Sequence, residues 1–66
     1  MPIIDVTLFH GRDLETRRAL VRALTDATRE ALGVPPDSVT VVLREVSRED
    51  LARGGVLFAD RDGPAG

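Results

Sequence analysis

One stretch of helical period lies between two stretches of strand period, and that order leaves few folds open. Residues 2–9, PIIDVTLF, alternate along a β-branched run, with Ile4, Val6 and Leu8 on one side and Ile3, Asp5, Thr7 and Phe9 on the other. From Leu14 to Leu32 the period lengthens. Leu20, Leu24, Ala27 and Ala31 recur at helical spacing, and Val21, Thr28 and Leu32 widen the stripe. Glu15, Arg18, Arg22, Asp26, Arg29 and Glu30 fall largely off it, and Asp26 stands at helix-neighbour distance from Arg22 and Arg29. Asp13 suits the N-cap, while Gly33 and Pro35-Pro36 close the helix. Residues 38–46, SVTVVLREV, return to period two, with Val39, Val41 and Leu43 facing one way and Thr40, Val42, Arg44 and Val46 the other. A nineteen-residue helix is about 28 Å long, and a seven-residue strand is about 23 Å. The helix therefore returns the chain to the start of the sheet, which makes the strands parallel and the crossover right-handed.

Both strands carry apolar groups on both faces, so both faces call for cover. One helix covers one face, and a second subunit is expected on the other. Length supports this. A chain of 66 residues buries only about 60 % of the surface its unfolded form exposes, so apolar burial barely offsets the cost of ordering. The absence of cysteine removes disulfides, and the lone His10 has no second histidine with which to bind zinc. Self-association is what remains. SRED (47–50) reads as a short helical turn capped by Ser47, and RGGVLF (53–58) as a glycine turn with a short strand or hairpin arm. The expected fold is α+β: a single β-α-β subunit with parallel strands plus a short C-terminal hairpin or strand, assembled as an oligomer. Residues 1–58 form its domain and 59–66 a loose tail.

The net charge of −2, with interspersed signs and no Trp or Tyr, argues against nucleic acid. No apolar run reaches membrane-spanning length and no signal pattern opens the chain, so the expectation is a cytoplasmic protein that engages no membrane.

The order of PIIDVTLFHGR, one amphipathic helix, GVPPDSVTVVLREV and a late Gly54-Gly55 resembles the 4-oxalocrotonate tautomerase family over residues 2–58. The resemblance implies a homohexamer or trimer of dimers and no cofactor. It also implies loss of Met1, so that Pro2 becomes an N-terminal general base, and it matches Arg12 to the arginine that holds a substrate carboxylate. The implied substrates are small unsaturated carboxylic acids, of the 2-hydroxymuconate or phenylenolpyruvate kind.

That chemistry is physically reasonable. Only a free N-terminal proline has a nitrogen able to accept a proton. A secondary amine is more basic than an ordinary α-amino group, which titrates at about 7.7–8.0, and a base works best near ambient pH. Apolar surroundings from Ile3, Ile4 and Phe9 and positive charge from Arg12 both disfavour the ammonium form. The planar guanidinium of Arg12 also matches a carboxylate and stabilises a developing dienolate.

Two positions depart from the resemblance. Thr40 stands where many relatives carry a second arginine, and Leu51 where they carry an aromatic pocket wall. Both are candidate substrate-binding positions. Arg44, on the same strand face as Thr40, lies roughly 13 Å away along the strand, too far to substitute directly. Water-adding relatives place a carboxylate after the aromatic, but Ala52 and Arg53 follow Leu51 here. His10 reads as a surface turn residue, Arg44 and Glu45 as structural or interfacial, Glu49 and Asp50 as solvated, and Phe58 as core or interface. The alternative to a self-sufficient tautomerase is a non-catalytic or partner-dependent subunit of a hetero-oligomer.

Overall fold

The computed structural model describes residues 1–61. Strand β1 (Ile3–Phe9) is followed by helix α1 (Leu14–Leu32), strand β2 (Thr40–Val46) and a hairpin of β3 (Ala52–Arg53) and β4 (Val56–Leu57). Single 3-10 turns lie at Pro36–Ser38 and Phe58–Asp60. Strands β1 and β2 pair in parallel, Ile3 with Thr40 through Phe9 with Val46. Ser38 thus belongs to the turn rather than to the second strand.

The helix ends follow the sequence signals. The Asp13 carboxylate accepts from the Thr16 backbone N–H at 2.8 Å, satisfying one of the orphan donors of the first turn. At the other end Gly33 adopts φ 67° and its N–H donates to the Arg29 carbonyl, a left-handed cap that costs glycine nothing. The half-buried stripe of α1 runs through Arg17, Leu20, Val21, Leu24, Thr25 and Thr28. Ala27, Ala31 and Leu32, expected in the stripe, are exposed, Leu32 at 60 %. The 28 Å helix is longer than the sheet beneath it, so its last turn overhangs. Arg17 takes a core-side place because Glu45 of β2 pairs with it across the layer.

That pair also fixes which sheet face the helix covers: Ile4, Val6 and Leu8 of β1, with Val41, Leu43 and Glu45 of β2. The opposite face is open. Ile3 there is 62 % exposed, and Asp5 and Arg44 pair across the strands at 3.3 Å. One end of this face is covered by the chain itself. The hairpin brings the Phe58 ring edge-on to Phe9, 5.4 Å between centroids at 65°, and Phe9, 8 % exposed, is the one buried side chain among the described residues. Gly54 and Gly55, at φ 61° and 81°, give both central positions of the tight turn the positive φ that a two-residue hairpin demands.

SRED forms a hydrogen-bonded turn rather than a helix. The Asp50 N–H donates to the Ser47 carbonyl, and the Ser47 hydroxyl accepts from the Glu49 N–H and donates to the Asp50 carboxylate. Within the expected tail, Ala59 N–H donates to the Arg48 carbonyl and Arg61 to the Arg53 carbonyl. Residues 62–66 of that tail lie outside the described residues.

The subunit is a slab of 42 × 25 × 15 Å with a radius of gyration of 14.7 Å, against about 11 Å for a compact domain of this length. One helix on two strands gives two layers and almost no interior. Among the described residues no helix is long and apolar enough to cross a membrane.

Candidate active site

The candidate residues divide between the two ends of β1. Pro2 immediately precedes it and is half-buried. Its carbonyl accepts from the Thr40 backbone N–H at 3.0 Å, so the parallel register seats Thr40 beside it. Met1, 84 % exposed, extends from this end. While Met1 is attached the Pro2 nitrogen is a tertiary amide, with no proton and no basic lone pair. Thr40 offers Pro2's surroundings a hydroxyl but no charge.

Arg12 lies beyond the far end of β1, where its Nη1 donates to the Phe9 carbonyl at 2.7 Å. The seven residue steps from Pro2 to Phe9 span about 23 Å. Leu51 lies at Arg12's end. Its carbonyl accepts from the Phe58 N–H at 2.9 Å, tying the residue before the hairpin to the residue after it. The fold therefore seats Pro2 beside Thr40 at one end of β1 and leaves Arg12 and Leu51 at the other, both next to Phe9.

Between Leu51 and the sheet is a pocket of about 240 Å³, lined by Thr7, Leu8, Phe9, Val46, Leu51, Arg53 and Phe58. It opens at the carboxyl ends of the parallel strands, the place where ligands gather on open α/β sheets. A larger open depression of about 620 Å³ beside Asp26, Arg29, Glu30, Gly33 and Val34 contains none of the candidate residues. The aromatic wall that Leu51 lacks comes from Phe58, read from sequence as core or interface. Sequence spacing hid this, because Phe58 reaches the pocket only after the chain has reversed at Gly54-Gly55.

Arginines crowd the same end. The guanidinium carbon of Arg48 lies 5.9 Å from the Phe9 ring centroid, and those of Arg53 and Arg61 lie 5.2 and 5.3 Å from that of Phe58. Arg48 donates to the carbonyls of Phe58 at 2.6 Å and of Arg61 at 3.1 Å. Ion pairs among the described residues involve Arg17, Arg18, Arg29 and Arg44, none of which lines this pocket. This end of the sheet thus gathers several arginines, in a segment that also carries Glu49, Asp50 and Asp60, and offers guanidinium donors to an anion. His10 is exposed, and its backbone N–H donates to the Val46 carbonyl.

A helix over two parallel strands, with an arginine-rimmed aromatic pocket at their carboxyl ends, defines a small β-α-β subunit with a candidate ligand pocket. Comparison with known proteins makes this specific: the family model described as tautomerase enzyme matches residues 2–61, and the chain belongs to the tautomerase family. It is 43 % identical over 56 residues to a probable tautomerase of Ralstonia nicotianae, covering 85 % of this chain and 80 % of that one. Among solved structures, a 4-oxalocrotonate tautomerase homologue, TTHB242, superposes with a TM-score of 0.83 at 48 % identity, covering 96 % of this chain and all of that one. A heterohexamer 4-oxalocrotonate tautomerase from Chloroflexus aurantiacus superposes at 0.84 and 32 % identity, covering 91 % and 97 %.

Proposed function

We propose that the chain is a cofactor-independent tautomerase of small 2-hydroxy-dienoic or enol-pyruvate-type acids, working as an oligomer with Pro2 as base after Met1 is removed. The free secondary amine takes the proton of the 2-hydroxyl. The O–H electron pair forms the carbonyl, the conjugated π pair shifts outward, and the ammonium returns a proton to carbon. Atoms and charge balance without an oxidant, a metal or a cofactor. Arg12 holds the carboxylate and stabilises the dienolate as it forms.

The observation that carries this reading is the separation of Pro2 from Arg12 along β1, in a chain of the tautomerase family. Base and anchor must both touch one small acid, so the working site lies between chains, with Pro2 and Thr40 of one subunit facing Arg12, Leu51 and Phe58 of another. The open sheet face and thin interior support the same assembly. Ketonisation of phenylenolpyruvate, followed by ultraviolet absorbance, tests the reading on protein whose intact mass shows an N-terminal proline. Turnover that disappears in Pro2→Ala supports it. No turnover on a panel of enol acids sinks it.

A second reading is favoured by Thr40, which gives Pro2 an uncharged neighbour at the position where the family resemblance expects a second arginine. A partner chain would then supply that charge in a mixed hexamer, as the Chloroflexus relative is itself a heterohexamer. Native mass spectrometry separates the two, since an active homo-oligomer needs no partner.

A further inference from the structure

We propose that Arg53 is the second substrate-binding cation of this site, and that it selects acids bearing two carboxylates over acids bearing one. The proposal deepens the tautomerase reading and rests on it for the identity of the pocket. Arg53 sits on β3 and lines the pocket together with Leu51, Phe9 and Phe58. Its guanidinium is oriented by the Phe58 ring, 5.2 Å from centroid to carbon, and its backbone carbonyl is held by the Arg61 side chain. The neighbouring cations have other engagements: Arg48 donates to the carbonyls of Phe58 and Arg61, Arg61 to that of Arg53, and Arg12 to that of Phe9. Among the described residues the Arg53 guanidinium donates no hydrogen bond and meets no carboxylate within ion-pair distance. Its planar fork of donors is therefore available to a ligand.

The pocket of about 240 Å³ has the volume of roughly eight waters at ~30 Å³ each, enough for a six-carbon chain. Arg53, on the hairpin, lines that space, and Phe9, whose backbone carbonyl accepts from Arg12, lines it too. On the proposed reading a linear diacid places one carboxylate on Arg53 and the other on Arg12. Thr40, which reaches the site with Pro2 of the neighbouring subunit, cannot take the second charge, because its hydroxyl is neutral.

Calorimetric titration with muconate, an unsaturated six-carbon diacid, and 2,4-hexadienoate, the same chain with one carboxylate, tests the proposal. Neither ligand has a hydroxyl to ketonise, so binding is read without turnover. The wild type should bind muconate at least about tenfold more tightly than hexadienoate, as charge-assisted hydrogen bonding implies. Arg53→Gln should collapse that ratio towards one, Arg53→Lys should restore part of it, and Arg22→Gln, on the exposed face of α1, should leave it intact. A wild type without preference, an unchanged ratio in Arg53→Gln, or an equal fall in Arg22→Gln overturns the proposal. Circular dichroism checks that each variant folds. A wild type that shows the preference but ketonises nothing upholds Arg53 and overturns the assignment of Pro2 as base.

Discussion

Mixing two inactive variants should restore activity, and the strand length says by how much. Pro2→Ala removes the proposed base, at an expected cost of about 10²–10⁴ in rate. Arg12→Ala removes the proposed charge-assisted carboxylate contact, worth roughly 1.5–3 kcal/mol or about 10–150-fold. Reacting groups must approach to about 3–3.5 Å, whereas Pro2 and Phe9, which holds Arg12, stand about 23 Å apart along β1. No side chain bridges that gap, so the proposed function requires each site to draw its proline and its arginine from different subunits. In an equal, random mixture a site is whole only when its proline comes from an Arg12→Ala chain and its arginine from a Pro2→Ala chain. Each condition holds for half the chains, so about one quarter of wild-type activity should return in a symmetric assembly. The assay is to co-refold the two variants in equal amounts, confirm mixed oligomers by native mass spectrometry, and measure phenylenolpyruvate ketonisation. Activity no greater than the mean of the parents, in oligomers shown to be mixed, refutes the intersubunit site.

Other outcomes follow from the packing. Phe9→Ala removes the one buried side chain among the described residues together with its edge-on contact to Phe58; a loss of about 3–5 kcal/mol should lower the melting temperature by more than about 10 °C, and a drop of a degree or two would contradict the assigned core. Asp13→Ala should lower the melting temperature at neutral pH, since the Asp13 carboxyl is held below its ordinary range by side-chain and backbone hydrogen bonding with Thr16. Because the folded form has the lower value, this contribution is complete above the ordinary carboxylate range and is lost as pH falls through the depressed value; the gap between Asp13→Ala and wild type should therefore close on acidification. Gly55→Ala places a Cβ at φ 81° and should destabilise the hairpin by about 1 kcal/mol or more, raising KM through Leu51 and Arg53 before it affects the fold of the sheet. Asp5→Asn should change stability by less than about 1 kcal/mol, since its pair with Arg44 is exposed; a larger loss in the assembled protein would place that pair at a buried interface.

The chain's punctuation was readable because local chemistry carries it. Asp13, Gly33 and the change of period bound α1 without reference to anything distant, and β-branched alternation marks both strands. The helix stripe was read less well at its end. Ala27, Ala31 and Leu32 fit the period, but period says nothing about where the sheet beneath runs out. The pocket was harder still. Phe58 and Arg53 are remote from Phe9 in sequence, and only the reversal at Gly54-Gly55 brings them to it.

Sequence alone determined the β-α-β order, the parallel crossover, the two ends of the helix and the need for more core than 66 residues supply. Each follows from period, capping chemistry or surface-to-volume scaling, which depend on neighbours in the chain. Tertiary structure decided which sheet face is open, which aromatic walls the pocket and which arginine keeps its donors available. It also placed Pro2 and Arg12 at opposite ends of one strand. A strand is stiff and extended, so residues close in sequence can be as far apart as the subunit allows, and the candidate base and its anchor can meet only across chains.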